Sequence, residues 1–178
     1  MMRTLEICTG DPAGIRAAID GGADRIELCS ALSDGGLTPS MSMIRYAVSM
    51  PVPINVLVRP RSGDFVFSED EISVMEEDAR LAVEAGADGI VIGALTSEGE
   101  IDIDACSRIM KAAGSCDTTF HRAFDLCVNP QKALETIIGL GFKRLLTSGQ
   151  AASALEGSPL ISCLRKQASG RIKIMAGA

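Results

Sequence analysis

Three stretches of this chain resemble one another, and together they limit its fold more than any other feature. Residues 18–29, 82–93 and 137–148 each run from the end of an apolar-periodic helix, through a glycine, into a short apolar strand. A glycine there suits the left-handed position that closes a helix. Gly22, Gly86 and Gly141 stand 64 and 55 residues apart, about two βα units at roughly 30 residues per unit. Alternation at this spacing predicts parallel strands, and its repetition predicts an α/β fold of the TIM-type (β/α) barrel.

Filling in the units yields seven strands: residues 5–8, 25–29, 54–58, 88–92, 118–121, 144–147 and 173–176. Between them, Asp11-Pro12 opens a first helix, Thr38-Pro39-Ser40 a second, and Asn129-Pro130 a fifth, each pairing a capping side chain with proline near the first turn. Ser68 and Glu71 form a capping box for a third helix running to Ala85. Asp102 starts a fourth helix over 103–113, and residues 151–168 carry a sixth, broken near Gly157-Ser158-Pro159. Eight strands close a barrel of this kind. The expectation is therefore one domain over 1–178, truncated after strand 7 and lacking the last strand and helices.

Composition removes several functions. The formal charge is −6 with no basic stripe, which speaks against nucleic acid as a partner. No apolar run nears the ~18 residues of a membrane span, and Met1-Met2-Arg3-Thr4-Leu5-Glu6 lacks the apolar core of a signal peptide. A cytoplasmic location follows by default. The six cysteines show no paired CxxC spacing, and in that compartment they read as reduced thiols.

Sites in parallel barrels form at the carboxyl ends of the strands, and here those ends read as unusually polar. Glu6 and Cys8 share one side of strand 1, and Glu27 and Cys29 one side of strand 2. Arg59 and Arg61 leave strand 3; His121, Arg122 and Asp125 follow strand 5; Ser148-Gly149 follows strand 6 and Gly177 strand 7. Glu6, Glu27, His121 and Asp125 are candidates for proton transfer. Arg59, Arg61 and Arg122 can grip a carboxylate or phosphate, with backbone N–H groups at Ser148, Gly149 and Gly177 adding to an anion site. The plainer alternative is an internal salt-bridge network, since carboxylates and guanidiniums buried together are expected to pair. Cys8 and Cys29, on adjacent strands, are a reasonable thiolate pair for Cu(I), or else two small buried hydrophobes. With one histidine in the chain, a zinc site is not expected.

Several long motifs then match a known pattern: Leu5-Glu6-Ile7-Cys8, Gly22-Ala23-Asp24-Arg25-Ile26-Glu27-Leu28-Cys29, Gly35-Gly36-Leu37-Thr38-Pro39-Ser40, Arg59-Pro60-Arg61-Ser62-Gly63-Asp64-Phe65, Thr119-Phe120-His121-Arg122-Ala123-Phe124-Asp125, Leu146-Thr147-Ser148-Gly149-Gln150 and Ile174-Met175-Ala176-Gly177-Ala178. Spread over nearly the whole chain, they resemble the CutC family. The resemblance implies a TIM-barrel-like fold, a cytosolic homo-oligomer and a role in copper homeostasis through Cu(I) binding. It implies no established reaction, and family members continue beyond the motif that ends this chain. The residues themselves leave a second reading open, an enzyme or binder acting on a small anionic metabolite, phosphorylated or carboxylated.

Overall fold

The computed structural model describes residues 4–177; the leader reading on Met1 to Arg3, and Ala178 of the last motif, lie outside the described residues. By compactness the chain divides into two units. One runs through Gly63 and takes in Glu69–Val91 and Ile109–Asp117; the other comprises Asp64–Ser68, Ile92–Arg108 and the chain from Thr118 onward.

In the first unit, β1 (Glu6–Thr9), β2 (Arg25–Leu28), β3 (Ile54–Leu57) and β4 (Gly89–Ile92) pair in that order, all in parallel. Helices α1 (Pro12–Asp20), α2 (Met41–Val48) and α3 (Glu69–Glu84) connect them. Asp11 caps α1 by accepting from the amides of Ala13 and Gly14, and Ser40 caps α2 through Met43. Alternation along the strands decides what each face meets. Ile26 and Leu28 of β2, with Ile54 and Val56 of β3, pack on Ile15, Ala18, Ile44, Ala47 and Ala82 of the helices. The opposite face therefore receives Glu6, Cys8, Arg25, Glu27, Cys29 and Asn55.

In the second unit, β5 (Asp117–Phe120), β6 (Arg144–Thr147) and β7 (Lys173–Ala176) are again parallel and in sequence order. Helix α4 (Ile103–Ala113), of which the part from Ile109 is counted with the first unit, precedes β5, and α5 (Pro130–Leu140) and α6 (Ser158–Ala168) separate the later strands. Asn129 caps α5 ahead of Pro130, and Gly141 closes it at φ +92°, as the repeat predicted. Phe120 and Phe142 meet edge to face with centroids 5.4 Å apart.

The strands fall within about a residue of their expected places. Helix six is a correction: it begins at Ser158, and 151–157 is a series of turns. The cause is a backbone crossing, since a Cβ at Gly149 would lie 2.3 Å from the Gly157 carbonyl oxygen. Two short 3₁₀ segments, Leu32–Asp34 and Arg122–Leu126, were not anticipated. Among the described residues no helix is long and apolar enough to cross a membrane.

Candidate functional site

The polar face of β1–β3 is ordered along the strand direction. At the amino ends, Glu6 and Arg25 stand opposite each other in register and form an ion pair. Asn55 of β3 donates weakly to Glu6 over 3.4 Å, while its own Oδ1, buried, has no hydrogen-bond partner among the described residues. Glu6 thus lies at the opening of its strand and not at the carboxyl end, and its guanidinium partner is none of the three arginines singled out from the sequence.

One step further on, the Cys8 sulfur lies 3.6 Å from Glu27 Oε1 and 3.4 Å from the Cys29 sulfur. Glu27 is 8 % exposed, and burial, then the charge of Glu6, raises its carboxyl to about 7. The thiols are coupled. The hydrogen bond with Cys29, reinforced by burial and by Glu27, holds the proton on Cys8, whereas Cys29, accepting from Cys8, is lowered. Cys29 is the sulfur readier to become a thiolate, yet it is fully buried, while Cys8 is exposed. Cys8 also lines a groove of about 370 Å³ with Leu5, Ile7, Thr9 and the Gly14, Ala17, Ala18 and Gly21 positions beside it.

Register decides what the two sulfurs can do. Cys8 stands opposite Glu27, so Cys29 is its diagonal neighbour, two residues on. Two residues of rise across one strand spacing put the Cα atoms roughly 8 Å apart, beyond the ~7 Å at which a disulfide closes without moving the backbone. The side chains converge while the backbones stay apart.

The second unit carries a different constellation at the carboxyl ends of its strands. His121 ends β5, and its Nδ1 accepts the Ala123 amide at 3.2 Å, which assigns the ring proton to Nε2. Phe65 lies tilted over the imidazole at 4.9 Å. Gly93 is obligatory beneath it, because a Cβ there would come within 2.6 Å of the ring. Asp125 accepts from Arg122 Nε, the Thr147 hydroxyl and the amides of Ser148 and Gln150. Burial opposes its charge, but the donors win and hold its carboxyl below the ordinary aspartate value.

The remaining candidates are all engaged internally. Arg59, 5 % exposed, donates to the carbonyls of Asp34, Gly36 and Gly63. Arg61 pairs with Glu71, and Arg122 reaches Asp125 and the Ser148 hydroxyl. The amides proposed for an anion also have partners: Ser148 gives to Asp125, Gly149 to the Thr147 hydroxyl and Gly177 to the Thr147 carbonyl. The structure thus brings Cys8, Glu27 and Cys29 together in one unit, and Arg122, Asp125 and Ser148 in the other. Sequence reasoning passed over Asn55 and Arg25. An asparagine at an inward position of the otherwise apolar Ile54-Asn55-Val56-Leu57 is the signal that could have found the first.

The model of the CutC family matches residues 3–178. The family protein CutC of Pasteurella multocida (strain Pm70) is 52% identical over 175 residues, covering 98% of this chain and 72% of that protein. The human copper homeostasis protein cutC homolog is 51% identical over 174 residues, 97% of this chain and 64% of that protein. The chain therefore spans less than two thirds of the human relative. A crystal structure of CutC from Streptococcus agalactiae superimposes with a TM-score of 0.92 at 32% identity, over 97% of this chain and 86% of that one. The aldolase QR15 superimposes at 0.71 with 18% identity, over 97% of this chain and 78% of its own, a likeness of fold alone. The fold is the α/β, TIM-barrel type expected from the repeat, and the chain belongs to the CutC family.

Proposed function

We propose that this chain takes Cu(I) as its cargo through the sulfurs of Cys8 and Cys29, as part of copper handling in the cytoplasm. One observation carries the reading: the sulfurs lie 3.4 Å apart in a register that keeps them from closing on each other. Soft thiolates favour Cu(I) over harder ions. The human relative's name, a copper homeostasis protein, supports the same assignment. Loading must displace the protons of both thiols, and Glu27 Oε1, 3.6 Å from the Cys8 sulfur, lies within reach to accept one of them.

The test is a Cu(I) titration of reduced protein against a competing chelator. Binding near one copper per chain, lost in Cys8→Ser with Cys29→Ser, is the expected result; binding that survives the double change sinks the reading. The alternative, a small anionic metabolite held by Arg59, Arg61 and Arg122, requires an anion to compete with an existing partner at each guanidinium. A thermal-shift screen of phosphorylated and carboxylated metabolites addresses it. Self-association as a homo-oligomer belongs to the same proposal, and light scattering on the full-length protein measures it.

A further inference from the structure

The segment following β2 folds back over the deeper of the two sulfurs. Its base is closed by the reciprocal backbone bonds of Ser30 and Leu37 and by Thr38, which exchanges bonds with Arg59. Between these bonds the chain turns sharply, with Ala31, Gly35 and Gly36 all in the left-handed region at φ +47°, +84° and +88°. Gly36 lies directly on the thiol. A Cβ there would stand 3.4 Å from Cys29 Cβ, 3.7 Å from its sulfur and 2.7 Å from Leu57 Cδ2. Within the tip, the amides of Asp34 and Gly36 donate to the Ala31 carbonyl and that of Gly35 to the Leu32 carbonyl; the side chain that ties the tip to its surroundings is Arg59, whose Nη1 donates to the carbonyls of Asp34 and Gly36 at 3.1 Å each and Nη2 to Gly63 at 2.8 Å.

We infer that Arg59 is a positioning residue that governs access to Cys29, by latching the Gly35–Gly36 turn over its sulfur. The inference rests on the copper reading for its purpose but on its own geometry for its substance. Cys8 is open and Cys29 is not, so a cargo ion that meets Cys8 first reaches the second sulfur only when the turn lifts. A planar fork satisfying carbonyls on both sides of the turn holds it shut without touching the thiol. The left-handed backbone at Ala31, which lacks the freedom of glycine, biases the turn to spring once the fork is gone. The base bonds stay in place, so the opening is local.

The experiment is site-resolved alkylation by iodoacetamide of the reduced, copper-free protein, with Cys106, fully buried on α4, as the internal reference. Arg59→Ala is expected to raise the Cys29 rate by about tenfold or more with Cys106 unchanged, the signature of local opening. Guanidinium ion, added well below denaturing concentrations, should restore protection, whereas a merely destabilised protein would lose more. Arg59→Lys keeps the charge without the fork, and so should raise Cys29 selectively by a smaller factor; it decides the matter if the alanine variant does not fold. An unchanged Cys29 rate in both variants, or Cys29 and Cys106 rising together in Arg59→Lys, overturns the latch. Neither result touches the copper titration, and loss of thiol-dependent copper binding would leave the alkylation result standing.

Discussion

The two polar constellations of this protein differ in how completely their groups are satisfied. Around Asp125, the Arg122 guanidinium, the hydroxyls of Thr147 and Ser148 and the amides of Ser148 and Gln150 converge on one carboxylate, and the Gly149 amide is bonded to the Thr147 hydroxyl. On the face of β1–β3, the side-chain oxygen of Asn55 has no partner among the described residues, a buried carboxyl at Glu27 is raised to about 7, and two sulfurs lie 3.4 Å apart. The first arrangement ties the 3₁₀ turn after His121 to the end of β6. The second retains unspent bonding capacity. A carboxylate at a strand end is therefore not by itself a sign of chemistry; incomplete satisfaction of a buried group is the better guide.

The comparison breaks most sharply at Asp125. Asp125→Ala strands the Thr147 hydroxyl and the amides of Ser148 and Gln150, and should cost about 4 kcal/mol in a urea melt. A loss near zero would show that the network is ornamental. The next effect is one of pH. Glu27 has a folded pKa above its unfolded value of 4.5, at about 7. Its contribution is therefore full below pH 4.5 and lost as pH rises through 7, about 3 kcal/mol in all. Glu27→Gln should flatten that slope in melts between pH 4.5 and 8. Asp125 has the opposite sign: lowered, it supports the fold above the ordinary aspartate range and gives that support up as pH falls. Hydrogen exchange resolved by residue should then find β2 loosening toward alkaline pH and the 147–150 segment toward acid.

Smaller effects sharpen the same contrast. Asn55→Ala removes a buried polar side chain with a weak donor contact to Glu6 and an oxygen that has no partner among the described residues, so it should cost no more than about 1 kcal/mol. A cost approaching that of Asp125→Ala would mean Asn55 is better satisfied than its geometry indicates. Arg61→Ala breaks a partly exposed ion pair with Glu71 and should change stability by less than about 1 kcal/mol; a calorimetric scan resolves it.

Much of this was legible along the chain because it depends on near neighbours. Asp11-Pro12, Ser40 and Asn129-Pro130 mark helix starts through bonds that reach only two or three residues ahead. Gly141 marks a helix end by its own φ. Alternation alone puts Cys8 beside Glu6, and Cys29 beside Glu27, on one side of each strand. The alanine-rich run at 151–157 misled because its helix propensity is real but weaker than the close crossing of Gly149 with Gly157, which no local pattern records.

The sequence by itself determined the strand–helix alternation, the ends of most elements, and the face on which each cysteine and carboxylate lies. Only the tertiary structure decided that the Cys8 and Cys29 sulfurs meet at 3.4 Å from diagonal positions in the strand register. It alone chose backbone carbonyls for Arg59, Glu71 for Arg61 and Asp125 for Arg122. The physical reason is range. Periodicity and caps act between residues a few positions apart, whereas register and guanidinium partners join residues from 3 to more than 20 apart, and a carbonyl acceptor is present at every position and so leaves no mark in the sequence.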